Sequence, residues 1–135
     1  VIVGFPGESQ EHFEETLSLL EHVQYDQIFS FKYSARPGTE AFALGDSIPE
    51  EEKSRRLAVL QEFQRKIQIQ RNAALVGREF EIFVDGKSQK GLSELMGRTT
   101  QNKIVNFTGS PELLGKFVEV RITQSFPNSL AGELI

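Results

Sequence analysis

A glycine-rich turn near the start of the sequence has the chemistry to hold a ligand. It follows the apolar residues 1–3 and consists of Gly4, Phe5, Pro6, Gly7 and Glu8. The two glycines let the backbone approach a ligand closely, and a helix that begins after the turn would offer free N–H groups. Taken alone, this short motif is more typical of a purely structural turn.

The stretch YSARPGT, residues 33–39, combines hydroxyl groups with a guanidinium. Ser34 and Thr39 provide the hydroxyls, and Arg36 offers a planar fork that can grip a carboxylate. An ordinary Pro-Gly turn with an exposed arginine is the alternative. Both stretches follow predicted strands of one parallel sheet, and α/β sheets bind ligands at the carboxyl ends of their strands. A shared ligand site at this end of the sheet is therefore predicted.

A third stretch, MGRTTQNKIVNF at residues 96–107, gathers hydrogen-bonding groups between two predicted strands. Such groups bind phosphates and base edges, and RNA-binding proteins place them around unpaired nucleotides. Phe107 either stacks on a base or fills a half-buried strand position. The predicted RNA-contacting residues, including three basic ones outside the stretch, are Lys87, Lys90, Arg98, Thr99, Gln101, Asn102, Lys103 and Arg121. A polar hairpin tip without a ligand is the alternative.

Composition excludes several other kinds of site. The 135 residues contain no cysteine, which excludes disulfides, thiolate nucleophiles and cysteine-ligated metal or iron–sulfur centres within this span. His12 and His22 lie ten residues apart on one predicted helix, a poor spacing for a shared metal site. We therefore expect no metal site here. The net charge of −4 comes from residues 1–71, so any nucleic-acid binding must use a local basic patch.

The first part of the chain is predicted to be a strand–helix–strand unit. Residues 1–4 form a buried strand, a helix capped by Ser9 runs to Val23, and residues 27–34 form a second strand. A helical crossover implies parallel pairing. Two strands cannot fill a sheet, so residues 1–46 are expected to be the end of a larger α/β domain.

Residues 47–77 are predicted to be one long helix that leads to a second domain. Glu52 and Arg56 have the i,i+4 spacing of a solvated, self-paired face. Phosphate contact by Arg65, Lys66 or Arg71 is the alternative. Five short strands punctuated by Gly, Asn and Pro then predict a small OB-like antiparallel β-barrel at residues 78–135. The predicted fold class is α+β overall.

Two groups of these motifs resemble one protein family. IVGFPGE, the helix after it and FKYSARPGT resemble the end of the radical-SAM domain of tRNA methylthiotransferases, which is a parallel β/α barrel. GRTTQNKIVNF, GKFVEVRI and PNSLAGEL resemble the TRAM domain that closes these enzymes. The pattern Gly-Arg-Thr-x-x-Asn-x-x-Val-Asn-Phe favours the branch that methylthiolates carbon 2 of isopentenyladenosine beside the anticodon. Branches acting on threonylcarbamoyl-adenosine or a ribosomal protein, or a stand-alone RNA-binding TRAM module, are the alternatives.

The resemblance implies that different segments of the parent enzyme bind the clusters and the other cofactor. The parent would carry S-adenosylmethionine and two 4Fe-4S clusters, whose cysteines would lie upstream in N-terminal domains missing here. The cofactor-binding positions that this span would supply are Gly4, Phe5, Pro6, Gly7, Glu8, Ser34 and Arg36. The span alone is expected to contain no catalytic residue, to bind no cofactor and to be inactive. Its expected partner is the tRNA anticodon stem-loop. No membrane contact and a cytoplasmic location are expected.

Overall fold

The computed structural model describes residues 1–88 and 94–135. The chain divides into two compact units, Val1–Gln68 and Ile69–Ile135. The boundary falls inside a long helix. Lys90, a predicted RNA contact, lies outside the described residues.

The first unit begins with the predicted strand–helix–strand arrangement. Strand β1 (Ile2–Val3) pairs in parallel with β2 (Phe31–Lys32), and helix α1 (Gln10–Val23) connects them. Ser9 caps α1 by accepting the N–H of His12, whose side chain accepts the Ser9 N–H in return. Strand β2 is shorter than the predicted 27–34 because its one described neighbour, β1, offers only two residues to pair with.

The core of this unit lies on one face of the two-stranded sheet. It combines Val3, Phe13 and Leu20 with Leu60 and Ile67 of the long helix α2. Helix α2 covers Glu50–Ala73, shorter than the predicted 47–77, and a short 3-10 helix (Glu40–Leu44) precedes it. On the opposite face of the sheet, the paired side chains of Ile2 and Phe31 are exposed.

The second unit is the predicted five-stranded barrel. A short 3-10 helix, Pro111–Leu113, lies between its third and fourth strands. The strands are β3 (Glu79–Lys87), β4 (Glu94–Thr99), β5 (Ile104–Thr108), β6 (Phe117–Ser125) and β7 (Leu130–Leu134). They close in the order β3-β4-β5-β7-β6, and all neighbours are antiparallel except β5 and β7. Closure leaves no free edge among these strands.

Inward-facing and outward-facing side chains alternate along the strands, and the inward ones fill the barrel interior. In β3, Ile82 and Val84 point inward while Phe83 and Asp85 face out, as the period of two requires. Among the described residues, the buried core of the barrel consists of Ile82, Val84, Leu95, Val105, Phe107, Val120, Ile122 and Leu130. Phe107 is 2% exposed, so it is a core residue and the base-stacking interpretation of it is wrong.

Within the described ranges, neither helix combines the length and the apolar character that a membrane crossing demands.

Candidate functional site

The two loops at the carboxyl ends of β1 and β2 border one cavity in the first unit. The parallel register aligns Ile2 with Phe31 and Val3 with Lys32, so the following turns emerge at the same end. A cavity of about 590 Å³ forms there and brings together Phe5, Ser34 and Arg36 of the predicted cofactor residues. This volume falls in the range of small-molecule sites.

The walls of this cavity are aromatic, and its rim carries polar groups. The rings of Phe5 and Tyr33 meet edge to face, with centroids 5.3 Å apart. The Tyr33 hydroxyl donates to the Ala41 carbonyl at 3.2 Å, and the Thr39 hydroxyl donates to the Arg36 carbonyl at 2.8 Å. These bonds fix the loop after β2 and leave the Arg36 residue exposed to solvent.

The remaining predicted cofactor residues, Gly4, Pro6, Gly7 and Glu8, belong to the turn between β1 and α1. The Glu8 carboxylate accepts the Gly4 N–H at 2.9 Å, which closes the turn on itself. Arg56 of α2 donates to the same carboxylate at 2.7 Å and to the Glu8 carbonyl at 2.9 Å. In this structure the contacts of Glu8 therefore stabilise the turn.

Two basic residues of α2 support these loops: Arg56, which was predicted on a solvated face, and Lys53, which the sequence interpretation did not single out. Arg56 is 6% exposed and Lys53 is 2% exposed, so Arg56 does not lie on the solvated face predicted for it. Its predicted bond to Glu52 is present at 2.8 Å. The Lys53 ammonium donates to the Tyr33 carbonyl at 3.2 Å and to Asp46 at 2.7 Å. The spacing in the sequence could have indicated this burial. Positions 53 and 56 lie on the same helix face as the core residue Leu60, because residues three or four apart face the same side.

Gly4 is required both by conformation and by space. Its φ is +75°, and a Cβ there would lie 2.5 Å from Cγ of Lys53. A side chain at this position would therefore displace the buried lysine stem that packs beneath the turn.

Glu52 offers a pH-dependent test of this helix face. Hydrogen bonds from Arg55 first and Arg56 second lower the pKa of the Glu52 carboxyl to about 2. Because the folded-state pKa lies below the ordinary value of 4.5, the stabilisation is present above pH 4.5 and is lost as the pH falls toward 2. NMR titration of the Glu52 carboxyl shift should give a midpoint near 2, and a midpoint near 4.5 would contradict these contacts.

In the second unit, the turn between β4 and β5 gathers most of the predicted RNA contacts. Arg98 donates to Asp85 at 2.9 Å and to the Asn102 side-chain oxygen at 2.9 Å. Thr99 is 5% exposed, and its hydroxyl accepts the Lys103 N–H. Asn102 has a φ of 60°, a conformation that asparagine tolerates. Gln101 is exposed at the tip, so the turn is ordered and presents Arg98, Gln101 and Asn102.

The other predicted RNA contacts either lie away from this turn or already bond to another side chain of the barrel unit. Lys103 donates to Asn72 at 2.8 Å. Arg121 pairs with Glu79 at 2.8 Å, and this bond raises the pKa of its guanidinium. Along β3, Arg121 is opposite Glu79 and Arg98 is opposite Phe83, about 13 Å further on. Lys87 lies at the far end of the same strand, so the structure spreads these charges along β3.

A pair of exposed aromatic residues on the barrel was missed by the sequence interpretation. Phe83 on β3 is 40% exposed and Phe117 on β6 is 67% exposed, with ring centroids 5.2 Å apart. The signal for Phe83 was present, because residues 82 and 84 are the inward positions of its strand. That Phe117 lies opposite Phe83 follows from the strand register, which the sequence pattern does not contain.

Comparisons with known proteins find similar sequences over both units. The TRAM domain family matches residues 73–135. A curated tRNA-2-methylthio-N(6)-dimethylallyladenosine synthase from Solibacter usitatus is 56% identical over 98% of the chain. Synthases of the same name from Pasteurella multocida and Mannheimia succiniciproducens are 51% and 48% identical over 99% of the chain.

These relatives are longer than the chain. The chain spans 31% of the Solibacter protein and 28% of the other two, in their C-terminal part. A solution structure of a conserved Methanococcus maripaludis protein matches at a TM-score of 0.37 and 17% identity, over 44% of this chain and 79% of that one.

Proposed function

Because the chain belongs, over the stretch that it spans, to the tRNA-2-methylthio-N(6)-dimethylallyladenosine synthase family, we propose that it is the tRNA-docking part of such an enzyme. The observation that carries the proposal is the 56% identity, which extends over both the strand-end loops and the TRAM barrel. The full-length parent would methylthiolate an isopentenyl-modified adenosine of tRNA in the cytoplasm.

The second unit has the groups that RNA docking requires. The β4–β5 turn connects two strands of the closed barrel, and beside it the Arg98 guanidinium donates to the Asn102 side chain at 2.9 Å. RNA-binding modules read unpaired loops with such donors together with aromatic faces. We propose that Arg98, Gln101 and Asn102 contact the anticodon arm. Lys87, Lys103 and Arg121 of the barrel, and Lys90 outside the described residues, stay predicted RNA contacts.

The first unit has features that fit one side of an S-adenosylmethionine site. Phe5 and Tyr33 form an apolar wall, Ser34 offers a hydroxyl and Arg36 a fork for the carboxylate of the amino-acid part. When bound, that cofactor supplies the radical and methyl chemistry, and this chain's residues bind and orient it. The residues do not fit an iron–sulfur cluster because the sequence has no cysteine, so no step through a cluster is assigned to them.

A competition measurement tests the docking function. A fluorescently labelled tRNA anticodon stem-loop should bind the full chain, measured by fluorescence anisotropy. An unlabelled copy should displace it, whereas a fully paired RNA duplex of equal length should displace it poorly, because the donors of the β4–β5 turn suit unpaired nucleotides. Equal displacement by the duplex, or no binding of the stem-loop, would contradict the proposal.

A further inference from the structure

Three side chains form a continuous row across the outer face of the barrel, which we term the outer row: Phe117, Phe83 and Arg98. Phe83 of β3 is the direct register partner of Phe117 on β6 and of Arg98 on β4. Direct partners share a face of the sheet, and neighbouring strands lie about 4.8 Å apart. The three groups therefore follow one another across three adjacent strands.

The outer row is both exposed and ordered. The side chain of Arg98 is 40% exposed, similar to the 40% of Phe83, while Phe117 reaches 67%. The two rings support each other at 5.2 Å between centroids, with an interplanar angle of 53°. Arg98 is fixed by its bonds to Asp85 and Asn102. A ligand that binds here thus meets surfaces that lose little side-chain freedom on binding.

The charged side chains near the row have both signs, and the cation lies on one side of it. Arg98 stands at one end of the row and Phe117 at the other. On the next outward pair, Glu81 faces Glu119 across β3 and β6, and this pair repels phosphates from that side. Aromatic rings and the planar guanidinium of arginine are the groups on which unpaired bases stack.

We propose that the outer row is a stacking platform for unpaired bases of an RNA loop, with the phosphates directed toward Arg98. The proposal rests on the docking function proposed above and adds the residues that contact base faces. The stacking residues proposed here are Phe83 and Phe117, and not Phe107, which lies inside the barrel.

A fluorescence measurement tests the platform directly, because the sequence contains no tryptophan. The variant Phe117→Trp keeps an aromatic face and introduces the one indole of the chain. Binding of an anticodon stem-loop should quench its emission, because a stacked base lies against the ring. A stem-loop with abasic loop positions should leave the emission unchanged. The matched control is Phe29→Trp, at a residue that is 75% exposed in the first unit.

Affinity measurements complete the test. Phe83→Leu and Phe117→Leu remove the ring faces but keep apolar side chains, and each should weaken stem-loop binding about tenfold. Phe117→Tyr should retain binding, and neither leucine variant should change the weaker affinity for the abasic-loop RNA.

The outcomes separate the two proposals. If the wild-type chain binds neither RNA, the docking function fails and the platform with it. Unchanged stem-loop affinity in the leucine variants, with wild-type binding intact, overturns the platform alone and assigns the exposed rings to another partner, such as a protein surface. An equal loss on both RNAs also overturns the platform, since it means that the rings do not act through the bases.

Discussion

Replacing Leu130 with alanine should lower the free energy of unfolding of the barrel by about 3 kcal/mol. Leu130 begins β7, is 0% exposed and packs in the barrel core. It is also a register partner of both Val105 on β5 and Ser125 on β6, so it lies where the parallel pair closes the barrel. Truncation removes buried apolar surface and leaves a cavity between strands that cannot move freely.

Leu134→Ala on the same strand is the matched control, because Leu134 is 41% exposed. Both tyrosines, Tyr25 and Tyr33, lie in residues 1–68, so unfolding of the barrel in urea should be followed through NMR amide signals of β5 and β7. The Leu130 variant should unfold at clearly lower urea than the Leu134 variant. Equal midpoints for the two variants would show that Leu130 does not close the core.

Replacing Arg56 with methionine should lower the free energy of unfolding of the first unit by roughly 2–3 kcal/mol. In the wild type, the Arg56 guanidinium lies 5.8 Å from the centre of the Phe13 ring. Methionine has an unbranched apolar side chain and keeps the apolar part of the arginine. The change removes the bonds to Glu8 and Glu52 and leaves the Glu8 carboxylate, 11% exposed, without its cation. A buried charge that loses its partner retains its desolvation cost.

Arg55→Met provides the control, because Arg55 bonds the same Glu52 but its side chain is 49% exposed. Exposed ion pairs contribute less than buried ones, so this variant should lower the urea midpoint much less than Arg56→Met does. Tyrosine fluorescence reports the first unit, and the Gly4 amide shift reports the turn that Glu8 closes. If the two variants unfold alike and the Gly4 amide does not move, the support assigned to Arg56 is wrong.

Local patterns were sufficient for much of the fold. Ser9 before an apolar-periodic segment predicted the start of α1, since a cap depends on neighbouring residues alone. The five barrel strands followed from alternation and turn residues, both of which are also local. The parallel pairing of β5 with β7 depends on how the sheet closes, and no short-range pattern encodes it.

In the candidate sites, local patterns did not predict the burial and the partners of several side chains. The pairing of Arg56 with Glu52 was visible at i,i+4, but its burial depends on Glu8, which lies 48 residues away. Thr99 carries a hydroxyl that suits RNA, yet that hydroxyl accepts a bond inside the turn. The outward direction of Phe83 could be derived from β3 alone, whereas the outer row exists only once β3, β4 and β6 are in register.

Salt dependence of RNA binding tests the central claim that the barrel docks tRNA through Arg98 and its surroundings. The full chain should bind a labelled anticodon stem-loop at low salt and bind it more weakly at high salt, because docking releases counterions from the phosphates. Arg98→Ala should weaken binding at low salt, and Arg55→Met should not. Absence of binding at low salt, or an affinity that salt does not change, would contradict the account.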